Sequence, residues 1–385
     1  MMQRQTCVYA MALIAGLGNC LAQSQTPPPA ADQSTTQTPP APAAAPAPPT
    51  WSAGPIDFSG LIDGYYSLNF NHPESQVNAL RNFDVKANQF SLNMAKFSMS
   101  HTADPVGFNL ELGFGRAFEI FHATDPAGGD IVRHLYQAYV SVKPTTWKGF
   151  QVDFGKFATS AGSEVTETHL NWNYSRSLLY ALGPYYHMGL RTTMPIGKHF
   201  TGGVQLVNGW NNVEDNNSGK TVGLTGAFTS SKFNWYNNYY TGPEHNNTNK
   251  GFRNFYDTVV AINPNSKVNF LFNLDVGNDK HIDKGSDNFW GTSFATKFQL
   301  NDSWAISPRY DYYKDSDGWA TGKAQTLQEF TLTGEYKMKE GFLTRLEYRR
   351  DWSDQPFFDR GAGLGNAKSQ STITLGLVAF FGPKR

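Results

Sequence analysis

The sequence predicts an all-β chain: a transmembrane, antiparallel, up-and-down β-barrel of about sixteen strands. Three observations carry this prediction. Many segments alternate apolar and polar residues with a period of two. The gaps between them alternate short and long. Aromatic residues gather at both ends of the segments. The composition agrees. Among 385 residues there are 28 Phe, 18 Tyr and 9 Trp, too many for a disordered chain. A mean hydropathy of −0.46 argues against a bundle of apolar membrane helices. With 32 Lys+Arg against 32 Asp+Glu the formal charge is zero, so no basic excess points to nucleic acid.

Residues 1–22 read as a signal peptide. Arg4 supplies the positive n-region, and residues 7–18 form an apolar h-region too short to span a bilayer. Cleavage is expected after Ala22. A lipoprotein site at Cys20 is disfavoured by Asn19, where a small residue is wanted. Cys7 and Cys20 both lie in this segment, so the mature chain is expected to hold no disulfide and no cysteine metal site. Residues 23–55 read as a disordered periplasmic spacer. Ten of the 21 prolines fall there, mixed with Ala, Gln, Ser and Thr, a composition that cannot bury a core.

Residues 56–385 read as the barrel. The segments are 56–70, 88–101, 105–118, 131–143, 148–157, 186–196, 199–211, 220–230, 232–241, 252–262, 267–277, 288–300, 303–313, 326–337, 341–352 and 370–381. In 371–381, for example, Ile373, Leu375, Leu377, Ala379 and Phe381 oppose Thr372, Thr374 and Gly376. One such strand could belong to a soluble sandwich. An even number of strands with strictly alternating gaps suits a membrane barrel, with short periplasmic turns and long extracellular loops. The short gaps carry turn chemistry, as in TADP at 102–105, PIGK at 195–198 and NPNS at 263–266. Phe58, Phe108, Trp147, Phe150, Phe200, Phe233, Trp304, Phe342 and Phe381 are expected in a belt at the short-turn end. Tyr66, Phe90, Phe114, Tyr136, Trp210, Tyr239, Trp290, Tyr312, Tyr348 and Trp352 are expected in a belt at the other. The outer membrane is therefore the expected location, with lipid as partner. The last strand ends in Phe381, like the signal read by the barrel-assembly machinery, although Gly382, Pro383, Lys384 and Arg385 follow it.

The third long loop carries DFGKFATSAGSE at 153–164 and NWNYSRSLLYALGP at 171–184. Here the chain resembles the OmpL-like β-barrel porins of Gram-negative outer membranes. The resemblance implies a pore-forming barrel and supplies no catalytic residue. Trimeric sugar porins are neighbours of this group, so a homotrimer is the assembly to test.

Sixteen strands enclose a lumen wide enough for water. Side chains opposite the lipid face are expected to line it: Asp63, Glu111, Asp153, Arg191, Asp275, Lys297, Arg309, Asp311, Glu329, Glu335, Arg345, Glu347 and Arg349. A charge on the lipid face costs about 2–4 kcal/mol near the midplane, which favours inward placement. Arg309, Asp311, Glu329, Glu335, Arg345, Glu347 and Arg349 fall on neighbouring strands. They read equally as a selectivity wall and as a cross-strand salt-bridge ladder. Loop 158–185 is expected to fold into the lumen. A helix is expected from Ser175 to Leu182, stopped by Gly183-Pro184, with Glu164, Glu167 and Arg176 projecting to the constriction.

Three functions fit a barrel. A weakly selective diffusion pore for small hydrophilic solutes or ions needs a polar lumen and a constriction, and the sequence offers both. A surface anchor or adhesin needs longer loops. A barrel enzyme needs a nucleophile beside a base, and no GxSxG, HExxH or P-loop pattern is present. No catalytic, cofactor or metal site is expected. Asp279, Asp283 and Asp287, with His281, miss the calcium-loop spacing because Gly285 stands at the wrong step.

Overall fold

The computed structural model describes residues 52–125, 131–181, 183–338 and 341–382. The expected signal peptide and all but the last four residues of the spacer lie outside the described residues. Those four are ordered: Ser52 and Ala53 pair with Asp57 and Ile56 across a turn at Gly54-Pro55.

Sixteen long strands form one closed sheet. They are β1 (Ile56–Asn69), β2 (Phe90–His101), β3 (Val106–Phe114), β4 (Leu135–Val142), β5 (Gln151–Ala158), β6 (Tyr186–Ile196), β7 (Phe200–Val207) and β8 (Thr221–Thr229). They continue with β9 (Phe233–Pro243), β10 (Phe252–Ile262), β11 (Val268–Lys280), β12 (Ser286–Gln299), β13 (Trp304–Asp315), β14 (Gln325–Lys337), β15 (Phe342–Ser353) and β16 (Ser369–Phe381). Each pairs antiparallel with the next. β16 returns to β1, with Phe381 opposite Gly60, so the sheet has no free edge. A two-stranded ladder, Phe358–Arg360 with Gly363–Ala367, decorates the last long loop.

Every predicted segment holds one strand, but several ends move. The segment 105–118 stops at Phe114 because Gly115, at φ 107°, turns the chain into the short helix α1 (Arg116–Phe121). The segment 131–143 begins with a 3-10 turn over Ile131–His134. β11 and β12 run beyond their predicted ends as a tall hairpin, so half of the expected loop 278–287 is strand.

The alternation sorts residues by side. Ile62, Phe154, Leu224, Phe294, Leu346 and Leu375 point outward and are exposed. Asp63, Asp153, Asn273, Thr333, Glu347 and Thr374 point inward and are buried. Lipid would solvate the first set, while the second needs polar partners within the barrel. Trp147, Phe200, Phe233, Trp304 and Phe381 stand exposed at the short-turn end, and Phe90, Phe114, Tyr239, Trp290 and Tyr348 at the long-loop end. Tyr136 and Trp210 do not join the belt. Both are buried inside, because long loops fold over them.

Those loops fill much of the interior. Phe118 and Phe121 of α1 pack with Tyr136, Tyr185 and Phe83. Across the lumen, Trp210 packs edge-on against Phe255, and Phe289 stacks on Trp319 at 4.1 Å. Closure leaves no strand end from which detergent can unzip the sheet. The chain should therefore run faster on a dodecyl sulfate gel unheated than boiled. A single mobility in both lanes would contradict the closed sheet.

Candidate functional site

The third long loop, joining β5 to β6, crosses the barrel interior and reaches the far wall. Its path there is set by charged side chains. The Arg345 guanidinium donates to the carbonyls of Thr168 (2.6 Å), Asn173 (2.9 Å) and Asn171. Its remaining donors go to Glu335, at 2.9 and 2.5 Å. Arg349 donates to the carbonyl of Arg176 and, at 2.8 Å, to Asp351. Arg309 donates to the carbonyl of Ser175 (2.9 Å), to Glu164 (3.0 Å) and to Glu329 (2.8 Å). The acids do the converse. Glu347 accepts from the amides of Tyr174 (2.6 Å) and Ser175 (3.0 Å), and Asp311 from that of Leu178 (2.9 Å). Asp63 on β1 accepts from the hydroxyls of Tyr174 (2.7 Å) and Thr168 (2.5 Å).

This explains why the predicted helix is absent. Only Leu179–Ala181 form a 3-10 turn. Amides at 174, 175 and 178 go to carboxylates, and carbonyls at 173, 175 and 176 go to arginines. The helical i→i−4 bonds have lost their partners to stronger, charge-assisted ones. Leu182 lies outside the described residues.

The predicted loop residues therefore differ in role. Glu164 reaches the wall, and Glu167 pairs with Lys96. Arg176 does not project to a constriction. It turns back on its own loop, donating to the carbonyls of Val165 (3.0 Å), Thr166 (2.7 Å) and Tyr174 (2.6 Å), with its guanidinium 4.9 Å from the Phe83 ring. A buried guanidinium needs many acceptors, and this tight turn supplies them.

The predicted wall residues are brought together. Arg309, Asp311, Glu329, Arg345, Glu347 and Arg349 are at most 2% exposed, and Glu335 is 7% exposed. Lys297 is half-buried, 3.0 Å from Glu335. Glu111 pairs with Lys96 on the adjacent strand. Arg191 and Asp153 stand apart from this group and pair with each other at 2.8 Å. Asp275 stands apart with no basic partner. Across the loop–wall region five basic groups (Arg81, Lys297, Arg309, Arg345, Arg349) meet six carboxylates (Asp84, Glu164, Asp311, Glu329, Glu335, Asp351).

Sequence reasoning missed four residues here. Asp351 continues the inward parity of Arg345, Glu347 and Arg349, and that signal was available. Lys96 is likewise inward within its segment. Arg81 comes from the first long loop and donates to Asp351 (3.1 Å) and Thr372 (2.9 Å), which no local pattern announces. Asp257 was hidden because Phe255 and Val259 make its inward face look apolar.

The inner surface is asymmetric. Inward residues on β13, β15, β16 and β1 are covered towards the short-turn end, as Ala305, Leu343, Val378 and Leu61 show. Their counterparts on β7 to β12, such as Thr201, Thr225, Tyr236, Asn269 and Lys297, are half-exposed. Above them, a small cleft, with room for about one water, lies between loop residues such as Ala161 and Leu179 and the wall residues Phe255, Asn273 and Asp275.

A family model described as "Putative beta-barrel porin-2, OmpL-like" matches residues 55–381. The chain belongs to this family of β-barrel porins. As an OmpL-like porin-family member it is an outer-membrane protein. No curated protein matches it. Among solved structures it is similar to an anion-selective porin from Comamonas acidovorans, 9% identical, covering 85% of this chain and 99% of that one, with a TM-score of 0.56. It is also similar to the trimer form of OmpT, an outer membrane protein of Vibrio cholerae: 12% identical, 85% and 99% covered, TM-score 0.55. A third is Salmonella typhi OmpF in complex with daunomycin: 11% identical, 85% and 97% covered, TM-score 0.54. At these identities the likeness is one of fold. This OmpL-like barrel shares its architecture with porins of other families.

Two of these buried polar contacts can be tested, the first in the loop's anchoring. Arg345→Met removes donors from three buried carbonyls and leaves Glu335 with only Lys297. Breaking such a buried set costs ~3 kcal/mol. Hydrogen exchange at the amides of Tyr174 and Ser175 should speed up roughly a hundredfold, while exchange in the distant strand β8 should not change. The second concerns Glu244, beyond β9 on the long-loop side. It accepts from the Trp210 amide (3.0 Å) and the Thr221 hydroxyl (2.6 Å). Burial pushes its carboxyl up to about 7. A folded pKa above the unfolded one means this contact is most stable with Glu244 protonated, and weakens as pH rises through about 7. Protection of the Trp210 amide, corrected for intrinsic rates, should fall about tenfold from about pH 6 to about pH 8. Glu244→Gln should flatten that dependence.

Proposed function

We propose that this barrel is a weakly selective channel for passive diffusion of small hydrophilic solutes or ions, with the infolded third loop as its constriction. The observation that carries the reading is the half-exposed, mainly polar inner surface of β7 to β12 beneath that loop. A structural anchor has no need of a hydrated lumen; a diffusion channel does. The paired arginines and acids of β13 to β15 act in this reading as the mount of the loop rather than as a free selectivity wall. Their charges are spent on one another and on the loop's backbone, so little field is left to sort solutes. The reading is of a channel and not of an enzyme. The wall charges hold backbone groups, and the buried His187, 3.0 Å from the Thr159 hydroxyl, is closed over by the Tyr240 ring stacked on it. We infer a homotrimer, on the analogy of the trimer form among the neighbours.

Purified protein in a planar bilayer should open ohmic pores. Deleting residues 171–182 should raise the single-channel conductance about twofold or more, since conductance follows the area of the narrowest section. A barrel that folds, inserts and stays silent would remove the channel reading. Unchanged conductance after the deletion would remove the loop as constriction.

A further inference from the structure

The outer wall is not uniform around the barrel. A lipid-facing position at mid-height should be apolar. On β1, β11, β12, β14, β15 and β16 it is. Four residues in from the outward residue nearest the short-turn end stand Ile62, Phe272, Phe294, Leu332, Leu346 and Leu377, all exposed. On β9 and β10 the same count reaches Asn237 and Thr258. These two are register partners, and they share the outward side with the exposed Trp235, Tyr239 and Tyr256. Thr241 and Asn254, also register partners, extend the polar run towards the long-loop end.

The polar groups of this patch are joined along the surface. The Tyr256 hydroxyl donates to Asn237 Oδ1 (2.8 Å). The Tyr239 and Thr241 hydroxyls both donate to Asn254 Oδ1 (3.0 and 2.8 Å). Trp235 Nε1 donates to the Thr258 hydroxyl (2.9 Å). These bonds occupy the carbonyl ends of the two asparagines. Among the described residues, neither Asn237 Nδ2 nor Asn254 Nδ2 has an acceptor. Asn254 lies near the long-loop end, where head groups and water can serve it. Asn237 lies between the two aromatic belts, where hydrocarbon offers its amide nothing.

Beside the patch the wall changes shape. Asn237 is the register partner of Gly226 on β8, and Gly226 of Gly202 on β7. Gly226 lies two residues from the exposed Leu224 and so faces outward, with nothing within 4 Å of where a Cβ would stand. The glycines make a shallow trough, and Trp235, Tyr239 and Tyr256 make a ridge next to it.

We propose that the outer face of β7 to β10 is where copies of this chain meet, with Asn237 of each subunit beside the three-fold axis. The inference rests on the homotrimer reading and names the surface that builds it. A ring about a three-fold axis joins one flank of each copy to the other flank of the next. Here one flank is the trough and the other the ridge, so the tyrosines of one copy sit over the glycines of its neighbour. The polar groups match as well. The face presents amide donors, while the hydroxyl oxygens of Tyr239 and Tyr256 keep lone pairs that can accept. A second copy therefore supplies what Asn237 lacks, and lipid does not. Small residues that let backbones approach, with asparagine bonded across the contact, also hold membrane helices together, for the same physical reason.

The test uses the full-length protein in native outer membranes and in mild detergent, each variant verified as folded by its unheated gel mobility. Oxidation of Asn237→Cys should give covalent dimers, because copies of one residue meet at the axis. Leu346→Cys on the opposite arc should give none, and nor should the wild type. Asn237→Leu suits lipid and removes the amide. It should raise the protein concentration at which the oligomer half-dissociates, measured by sedimentation, about tenfold. Leu346→Asn should leave that concentration unchanged. A trimer in which Asn237→Cys does not link, or in which Asn237→Leu dissociates no more readily than the wild type, overturns this face. Should Asn237→Cys not fold, the double variant Gly226→Cys, Tyr256→Cys decides: links between copies that neither single variant forms support the face, and their absence overturns it. A wild type that sediments as a monomer overturns the homotrimer itself, whereas a trimer linked elsewhere overturns only the face.

Discussion

A peptide backbone inside a barrel must find a partner for every N–H and C=O, and the third loop finds many of its partners on the wall. This requirement organises the interior. A helix would have satisfied the loop internally, and the sequence around Ser175 is able to start one. The loop instead exchanges its own bonds for charged ones from Arg309, Arg345, Arg349, Glu347 and Asp311. Each of these is roughly twice as strong as a neutral bond. In return, backbone carbonyls and amides complete the coordination of guanidinium and carboxylate groups that lie out of water. Neither partner would be stable there alone.

The fold was legible because a membrane barrel makes one rule global. Each strand must be apolar on alternate positions, and every second connection must be short. Segments 267–277 and 370–381 announce themselves in this way, and their ends moved by only a few residues. What happens inside the barrel follows no such rule. Tyr136 and Trp210 sit near strand ends, as belt residues do, yet the loops fold over them. Arg176 occurs in a stretch rich in polar residues, where nothing local says whether it will meet the wall or its own turn. Asp257 was hidden by apolar neighbours facing inward, Phe255 and Val259, which pack under loop residues. In each case the deciding partner is far along the chain.

The same reasoning explains why inward charges were readable as a set but not as individuals. Parity assigns a side, and Arg345, Glu347, Arg349 and Asp351 all obey it. Parity cannot say which charge is consumed. Whether a lumen charge acts on a passing ion depends on what else touches it. Arg349 touches Asp351 and the carbonyl of Arg176. Asp275 touches the Asn273 amide and the carboxyl of Asp257.

From this follows the division of labour around the ring. On β13 to β16 and β1, wall charges are committed to holding the loop, and the space beneath it is filled. On β7 to β12 the loop makes fewer polar attachments, the wall towards the short-turn end is half-exposed, and a small cleft remains. A loop tethered mainly to one side, and by Ser160 to Asn238 and Gln205 on the other, narrows the lumen without dividing it. The arc that holds the loop has the more numerous charges, but they are neutralised in place. The arc that stays open has fewer charges, and Lys297 and Arg253 there are paired with Glu335 and Asp279. In a confined space with low-dielectric walls, the uncompensated charge sets the field that a solute meets. Counting charges by sign over the whole lumen therefore gives near balance without saying which charges are committed to a partner and which are not.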